Sequence, residues 1–198
     1  MALHSSLPDA ELHYPKGASS ATAGQIMRAT GSGTTSWGNF PFMNIAQMSI
    51  SHPTTPITVS VTGTGSDDLK PSDGGYVNIL NAFTSALTRG TDVTVLADGR
   101  FQFNAPGTVV VTGFADLTHS VYSSTVGVAF AFTRSGVTTL SARAVHSKMP
   151  AAGDIGSIAG VGTIEVLAGD ILGLAVASDK TGTISLRSSS LVAQHIPY

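Results

Sequence analysis

Short apolar runs separated by turn residues dominate the chain from about residue 40 onward. Within several runs, large apolar side chains alternate with small or polar ones. A period of two places successive side chains on opposite faces of a strand, and evenly spaced short strands are typical of an all-β sandwich or barrel. The pattern predicts strands over Ile45–Ile50, Ile57–Thr62, Tyr76–Leu80, Val93–Leu96, Arg100–Phe103, Thr108–Leu117, Val126–Thr133, Thr138–Val145, Gly162–Leu167, Asp170–Ala177, Thr183–Arg187 and Leu191–Ile196.

The segments between these runs contain residues that favour tight turns. Asp98-Gly99 separates VTVL from RFQF, and an Asp-Gly pair tolerates the positive φ that a short hairpin requires. Ser135-Gly136 and Gly169-Asp170 stand in comparable positions, and Pro106-Gly107 precedes the run TVVVTGF. These dipeptides predict antiparallel hairpins.

Two neighbouring segments are harder to assign. In YVNILNAFTSALTRG the apolar residues have helical spacing, but strands are predicted on both sides. A strand followed by a turn or a short helix is favoured there. The preceding segment 63–75, GTGSDDLKPSDGG, is polar and rich in Gly and Pro, which predicts an exposed loop.

The run VGVAFAFT has one face of large residues and one of small residues. Val126, Val128, Phe130 and Phe132 are expected to point inward, and the opposite face carries Gly127, Ala129 and Ala131. A solvated strand face normally carries polar residues. The small face is therefore expected to be covered, either by a loop or layer of the same chain or by a neighbouring subunit. The second alternative makes Gly127, Ala129 and Ala131 candidate oligomer-interface residues.

Residues 11–38, ELHYPKGASSATAGQIMRATGSGTTSWG, have almost no apolar periodicity. The segment has too few hydrophobic residues to form a core, and its aromatic residues distinguish it from a simple Gly/Ser linker. We therefore predict two regions, an extended N-terminal anchoring arm over residues 1–40 and a β-sandwich domain over residues 41–198.

Composition excludes several classes of function. Only 11% of the 198 residues are charged, the net charge is −2, and Lys and Arg are scattered. Binding to nucleic acid through phosphate contacts is therefore not expected. The absence of cysteine removes disulfides and thiolate chemistry. The first residues show no signal-peptide pattern, and no run is apolar over about 18 residues, so no membrane contact is expected.

No motif of a known catalytic site occurs in the sequence. The six histidines have no ligand spacing, and each is expected to be a surface or interface residue. Asp67, Asp68 and Asp73 lack the spacing of an EF-hand. A polysaccharide depolymerase would need paired carboxylates; Asp154 is expected in a loop, and Glu165 is a strand residue without an identifiable partner. We predict no catalytic residue, no metal site and no cofactor.

Two stretches resemble the trimeric jelly roll shared by tumour necrosis factor and the globular heads of complement. They are GRFQFNAPGTVVVTGF at 99–114 and TIEVLAGDILGLAVAS at 163–178, and SLRSSSLVAQHI resembles the terminal strand. The family's usual aromatic residue after the Pro-x-Gly turn is replaced here by Val109–Val111. The resemblance covers most of residues 45–198 and implies a jelly roll that forms a homotrimer.

The N-terminal motif LHYPKGASSATAGQ, followed by GSGTTSWG, resembles the first segment of many tailed-phage fibre and head-fibre proteins. In that setting the segment anchors the protein to another virion component. The resemblance implies that the partner-binding residues of the arm are Leu12, His13, Tyr14, Pro15, Lys16, Gly17, Gln25, Ile26 and Trp37.

These observations predict a non-enzymatic structural protein of a phage virion, made in the host cytoplasm. It would be a capsid decoration or head-fibre protein, with the arm bound to the major capsid protein or another virion protein. The alternative is a receptor-binding tail fibre or spike tip that contacts host surface glycan. Tyr122 is the aromatic residue that could serve such a contact.

Overall fold

The structure is a computed structural model that describes residues 25–29, 35–39, 44–51, 57–80, 83, 85–141 and 145–198. The chain divides into two units, Met1–Met43 and Asn44–Tyr198. β-strands dominate the described residues of both units, and a single turn of 3-10 helix covers Pro71–Asp73. Among these residues, no helix has the length and hydrophobicity needed to span a membrane.

The described part of the first unit is an antiparallel hairpin. Strand β1 (Gln25–Ala29) pairs with β2 (Thr35–Asn39), with Met27 opposite Trp37. Sequence analysis assigned no strand to this region, so the hairpin corrects the expectation of an arm that is extended throughout. The apolar neighbours Ile26 and Met27 point to opposite faces of β1, so the segment shows no alternation of apolar and polar residues.

The second unit contains a six-stranded antiparallel sheet. Its strand order is β13 (Ile155–Val166), β9 (Gly107–His119), β15 (Gly182–Pro197), β3 (Asn44–Ser51) and β6 (Ser85–Arg89), and β4 (Ile57–Val61) also pairs with β15. Strand β15 is continuous where two strands were predicted. Its pairing with β9 shifts register between Leu186 and Ser188, which is a β-bulge.

A seven-stranded sheet forms the other layer. Its order is β11 (Val137–Leu140), β10 (Ser124–Arg134), β14 (Ile171–Ser178), β8 (Phe101–Phe103) and β7 (Val93–Val95). Two short strands extend this order: β12 (Val145–Met149) pairs with the first half of β10, and β5 (Val77–Asn78) pairs with β14. The predicted strand Thr138–Val145 is therefore two strands on one edge of β10.

The apolar faces of the two sheets form one core. The largest fully buried apolar side chains of this unit come from both sheets and from the loop before β5; they are Phe101, Phe103, Met48, Leu69, Ile79, Leu117, Met149, Leu172, Leu174, Ile184, Leu186 and Leu191. Because each sheet has one apolar face, packing the two together removes both from water. The predicted all-β sandwich is confirmed.

Predicted turns match the observed backbone where glycine has a positive φ. At the β10–β11 hairpin, Ser135 (φ 50°) and Gly136 (φ 80°) are both left-handed, which is the conformation of a two-residue type I′ turn. Gly99 (φ 81°) and Gly169 (φ 92°) adopt the same region. The segment 76–90 contains β5 and β6 and no helix in its described residues, because its apolar side chains meet two different sheets.

Candidate functional site

The outer face of the six-stranded sheet is broad and almost without charge. Outward positions on the three strands β13, β9 and β15 alternate with buried ones. In the ranges 155–165, 108–118 and 188–196, the charged outward residues are Asp116 and Glu165. We call this surface the open face. Its most exposed apolar side chains are Val161 at 73% and Ile155 at 58%.

Cross-strand pairing arranges the open face in rows. Val161 lies opposite Thr112, which lies opposite Val192, and Ala159 lies opposite Phe114. Single exposed valines are common on protein surfaces, but a contiguous apolar surface rimmed by polar residues marks an interaction site. The open face mixes neutral polar and apolar side chains and carries few charges, which makes it a candidate protein–protein interface.

Asp116 is the one carboxylate near the middle of a strand on this face. Its Oδ1 accepts a hydrogen bond from Ser157 Oγ at 2.6 Å, and its Oδ2 accepts one from Ser188 Oγ at 2.6 Å. The three residues lie on adjacent strands, so the carboxylate joins β13, β9 and β15. Because both oxygens have hydroxyl donors, the charge can be partly desolvated at lower cost than that of a bare carboxylate.

The outer face of the seven-stranded sheet is covered by its own chain around Gly127. A Cβ at Gly127 would lie 3.0 Å from Tyr76 Oη and 3.1 Å from Leu69 Cδ1. Leu69 is completely buried, and Tyr76 Oη donates a hydrogen bond of 2.7 Å to its carbonyl. The segment 63–75 was predicted to be an exposed loop; part of it packs on the sheet because Leu69 fits where β10 has no side chain.

The three small residues proposed as an oligomer interface are all buried within the single chain. Ala129 is 3% exposed and Ala131 is 4% exposed, and both pair with small residues of β14, Ala175 and Gly173. Gly127 is covered by a loop of the same chain, since Leu69 occupies the position that a neighbouring subunit would need. The sequence reading was right that this face is covered, and it did not identify the open face on the other sheet.

The arm residues fall into two groups. Leu12, His13, Tyr14, Pro15, Lys16 and Gly17 lie outside the described residues. Gln25, Ile26 and Trp37 lie in the β1–β2 hairpin, and the register places Gln25 and Trp37 on one face and Ile26 on the other. The indole N–H of Trp37 is shielded from solvent and has no hydrogen-bond acceptor in the part of the chain that the structure describes.

Two of the acidic residues considered as ligands or catalysts, Asp68 and Asp154, have structural contacts. Asp68 forms an ion pair of 2.7 Å with Lys70, whose hydrogen bond and charge lower the pKa of Asp68. Asp154 accepts a hydrogen bond of 2.8 Å from the backbone N–H of Ala151. Across the described residues, no three His, Asp or Glu side chains are close enough to hold a metal ion.

An ion pair between Arg134 and Asp170 joins two turns at one end of the sandwich. Asp170 is 3% exposed and accepts bonds from Arg134 Nε at 3.0 Å and from Arg134 Nη2 at 2.6 Å. It also accepts the backbone N–H of Leu167 at 2.7 Å. These contacts raise the pKa of Arg134 and join the β10–β11 hairpin to the β13–β14 turn. Asp170 was interpreted from sequence as a turn residue, and its structural role agrees.

His195 is a buried titratable group inside the sandwich. It is completely buried, its ring lies 5.8 Å from that of Phe103, and its Nδ1 lies 3.6 Å from Asp92 Oδ2. Burial lowers the pKa of His195, and the charge of Asp92 partly offsets this. Asp92 Oδ2 also accepts a hydrogen bond of 2.8 Å from Asn44 Nδ2. Sequence analysis placed this histidine at a surface or an interface, because a lone histidine in a strand gives no signal of burial.

Comparison with known proteins identifies the fold. No protein-family description matches the sequence, and no curated protein is similar to it. Among solved structures, murine APRIL at pH 5.0 is similar, with a TM-score of 0.50 and 15% identity over 76% of this chain and 98% of that chain. The globular domain of zebrafish complement 1qA has a TM-score of 0.51 and 11% identity over 79% of this chain and 98% of that one. The described strands therefore form a jelly-roll sandwich of the tumour necrosis factor and complement type.

Proposed function

We propose that this protein is a non-enzymatic structural component of a phage particle, a capsid decoration or head-fibre protein that assembles as a homotrimer. The open face supports the assembly, since it offers uncharged and apolar rows on a rigid sheet. The resemblance of residues 12–37 to the anchoring segment of phage fibre proteins supports attachment of this protein to a phage particle. Neither assembly through the open face nor anchoring through the arm requires a catalytic residue.

The open face is the observation that carries the proposal. Identical subunits usually form closed symmetric rings, and a specific interface typically buries on the order of 800 Å² on each partner. The three adjacent strands β13, β9 and β15 carry the open face, and Asp116 on it accepts hydrogen bonds from two serines. Association through this surface would remove Val161 and Ile155 from water.

Trimer formation would strengthen attachment through the arms. Three arms on one body bind with a high effective concentration, so each contact with the capsid can be weak. In the β1–β2 hairpin, Met27 and Trp37 face the same side and supply one large aromatic and one flexible apolar side chain. Tryptophan is the residue type most often found at the energetic centre of an interface. The partner of this hairpin would be the major capsid protein or a neighbouring virion protein.

The test compares three proteins for folding and for incorporation into particles: the full chain, a chain lacking residues 1–38, and the Trp37→Ala variant. Deletion should abolish incorporation and leave the melting temperature of the remaining domain within a few degrees. Trp37→Ala should weaken particle binding roughly thirtyfold for each arm, from a loss of about 2 kcal/mol. An exposed-residue variant such as Val137→Ala serves as the control.

A stability loss in Trp37→Ala with normal occupancy on particles would contradict the anchoring role. Normal incorporation of the shortened chain would also contradict it.

A receptor-binding tail fibre or spike tip is the second candidate. Tyr122 is 68% exposed in the β9–β10 turn, and Lys180 Nζ lies 5.2 Å from the centre of its ring. Exposed aromatic rings are suitable for stacking on sugars, and a neighbouring ammonium could contact a hydroxyl or an acidic group. Binding of host surface glycan that is lost in Tyr122→Ala would favour this candidate over capsid decoration.

A further inference from the structure

The sandwich contains an apolar cavity of about 260 Å³ between the two sheets. It lies beside β10, between the positions that pair with β12 (124–128) and those that pair with β11 (131–134). Ser141 bonds to the intervening Phe130, with its N–H donating to the carbonyl at 2.8 Å. Apolar side chains from both sheets line the cavity, among them Val128, Phe130, Ile158 and Leu174.

Glycines on the six-stranded sheet create the space. Gly113, Gly160 and Gly162 line the cavity, and none of them has a positive φ. Gly113 is required by packing, because a Cβ there would lie 2.8 Å from Phe130 Cε1. Gly162 is different: a Cβ there would lie 3.4 Å from Phe130 Cε2, an ordinary contact. Alanine would therefore fit at position 162 and fill part of the space.

A glycine that neither the backbone nor packing requires makes the strand less stable. An unfilled apolar cavity also costs stability, because the lining atoms lose contacts. Glycine within a strand commonly marks a place where a ligand or another chain approaches closely. We infer that this cavity is a binding site for a small uncharged molecule that carries one aromatic ring.

The lining determines the chemistry of the ligand. Among the described residues that line the cavity none is charged, and none has a buried side-chain polar atom that lacks a partner. A charged ligand would lose its hydration against these side chains without compensation. Of the described lining residues Ser141 alone has a polar side chain, and its Oγ accepts the backbone N–H of Phe130 at 3.2 Å. Phe130 supplies a ring for edge-to-face contact.

The size agrees with one ring and a short substituent. An engineered apolar cavity of about 150 Å³ in another protein binds benzene, whereas sites for drug-sized ligands measure about 300–1,000 Å³. The cavity found here lies between these limits. Val145 (42% exposed) and Val161 (73% exposed) also line the cavity, so it opens to the surface and a ligand can enter there. The inference does not depend on the proposed virion role.

Toluene is the probe, and benzoate is its charged counterpart. Titration of the full-length protein with toluene should produce saturable changes in the methyl NMR signals of Val128, Ile158 and Leu174 and should raise the melting temperature. Benzoate should produce neither effect. In Gly162→Val, which fills the cavity, toluene affinity should fall at least tenfold. Val137→Leu, at a 65% exposed position of β11 that does not line the cavity, should bind toluene as the unchanged protein does.

Gly162→Ala provides a milder variant if valine at this position impairs folding, and it should weaken binding to an intermediate degree. The inference is overturned if toluene causes no saturable change up to its solubility limit in the assembled protein, as it would if a side chain of another copy filled the cavity. Equal effects of toluene and benzoate would overturn it too, as would equal losses of binding in Gly162→Val and Val137→Leu.

Discussion

The outer faces of the two sheets differ in what covers them. On the seven-stranded sheet, Leu69 packs over Gly127, and the central positions of β10 and β14 are buried on both sides. On the six-stranded sheet, β13 alternates strictly between buried or half-buried and exposed positions and leaves Val161 73% exposed. The single chain thus covers one sheet by itself and leaves the other available for a partner.

This difference shows that small residues on a strand do not indicate by themselves which molecule will cover them. At Gly127 the absent side chain makes room for a loop of the same chain. On the open face the outward residues are larger, such as Phe114, Val161 and Val192, and they remain accessible. Side chains of this size contribute more to an interface than alanine or glycine, because burial of apolar area contributes roughly 25 cal/mol for each Å².

The largest expected effect is loss of assembly when a charge is placed on the open face. Val161→Asp would bury an unpaired carboxylate in the proposed interface, at a cost of several kcal/mol. Light scattering of the unchanged protein should give about three times 20.1 kDa. The variant should give the mass of one chain.

Val137→Asp is the matched control for this charge. Val137 is a strand valine of similar exposure, 65%, on β11 of the other sheet. It should leave the assembly intact, because its surroundings are solvated. Dissociation in both variants would show that the interface is not confined to the open face. If the unchanged protein is itself monomeric, the open face does not form a subunit interface and the proposed difference between the two faces is wrong.

The second expected effect is a loss of stability when the cover of the other face is removed. Leu69→Ala deletes a completely buried side chain and should lower the free energy of unfolding by about 2–5 kcal/mol, from lost transfer energy and the cavity left behind. Urea unfolding of the Val161→Asp background measures this without interference from association.

Leu167→Ala is the control, since Leu167 is 52% exposed, and it should change the free energy of unfolding by less than about 0.5 kcal/mol. In the background that retains Val161, Leu69→Ala should not alter the oligomeric mass. If it dissociates the assembly instead, the loop around Leu69 belongs to the interface and the two faces do not have separate roles.

Much of the sandwich follows from local sequence. The alternation in TVVVTGF and FQF corresponds directly to β9 and β8. The Asp98-Gly99 turn joins β7 to β8, and the Ser135-Gly136 turn joins β10 to β11. These features depend on residues close together in the chain, which a pattern of period two detects. The prediction of fold class needed little else.

The missed features depend on contacts between distant residues. Strand β13 begins at Ile155, seven residues before the predicted start, because glycines at 156, 160 and 162 interrupt the apolar pattern. Leu69 is one apolar residue in a polar loop, and its burial results from Gly127, which is 58 positions away in the sequence. The open face was missed for a related reason: its neutral residues look unremarkable until strand pairing brings them together.

The smallest expected effect separates the stability of the sandwich from its assembly through their response to pH. Because burial lowers the pKa of His195, the folded protein keeps this ring neutral at a pH where the unfolded chain binds a proton. The stabilising contribution is therefore complete above the unfolded pKa of about 6.5 and decreases as the pH falls below it.

One proton limits the slope of this decrease to about 1.4 kcal/mol for each pH unit. In the Val161→Asp background, the free energy of unfolding should fall more steeply between pH 6.5 and 5.5 than it does in the same background with His195→Gln. The open face carries no histidine on β13 or on the outward positions of β9 and β15, so the oligomeric mass of the protein that retains Val161 should stay constant over the same interval. Equal slopes with and without His195 would show that Asp92 fully compensates the burial of the ring, and dissociation in this interval would show that a titrating group takes part in the interface.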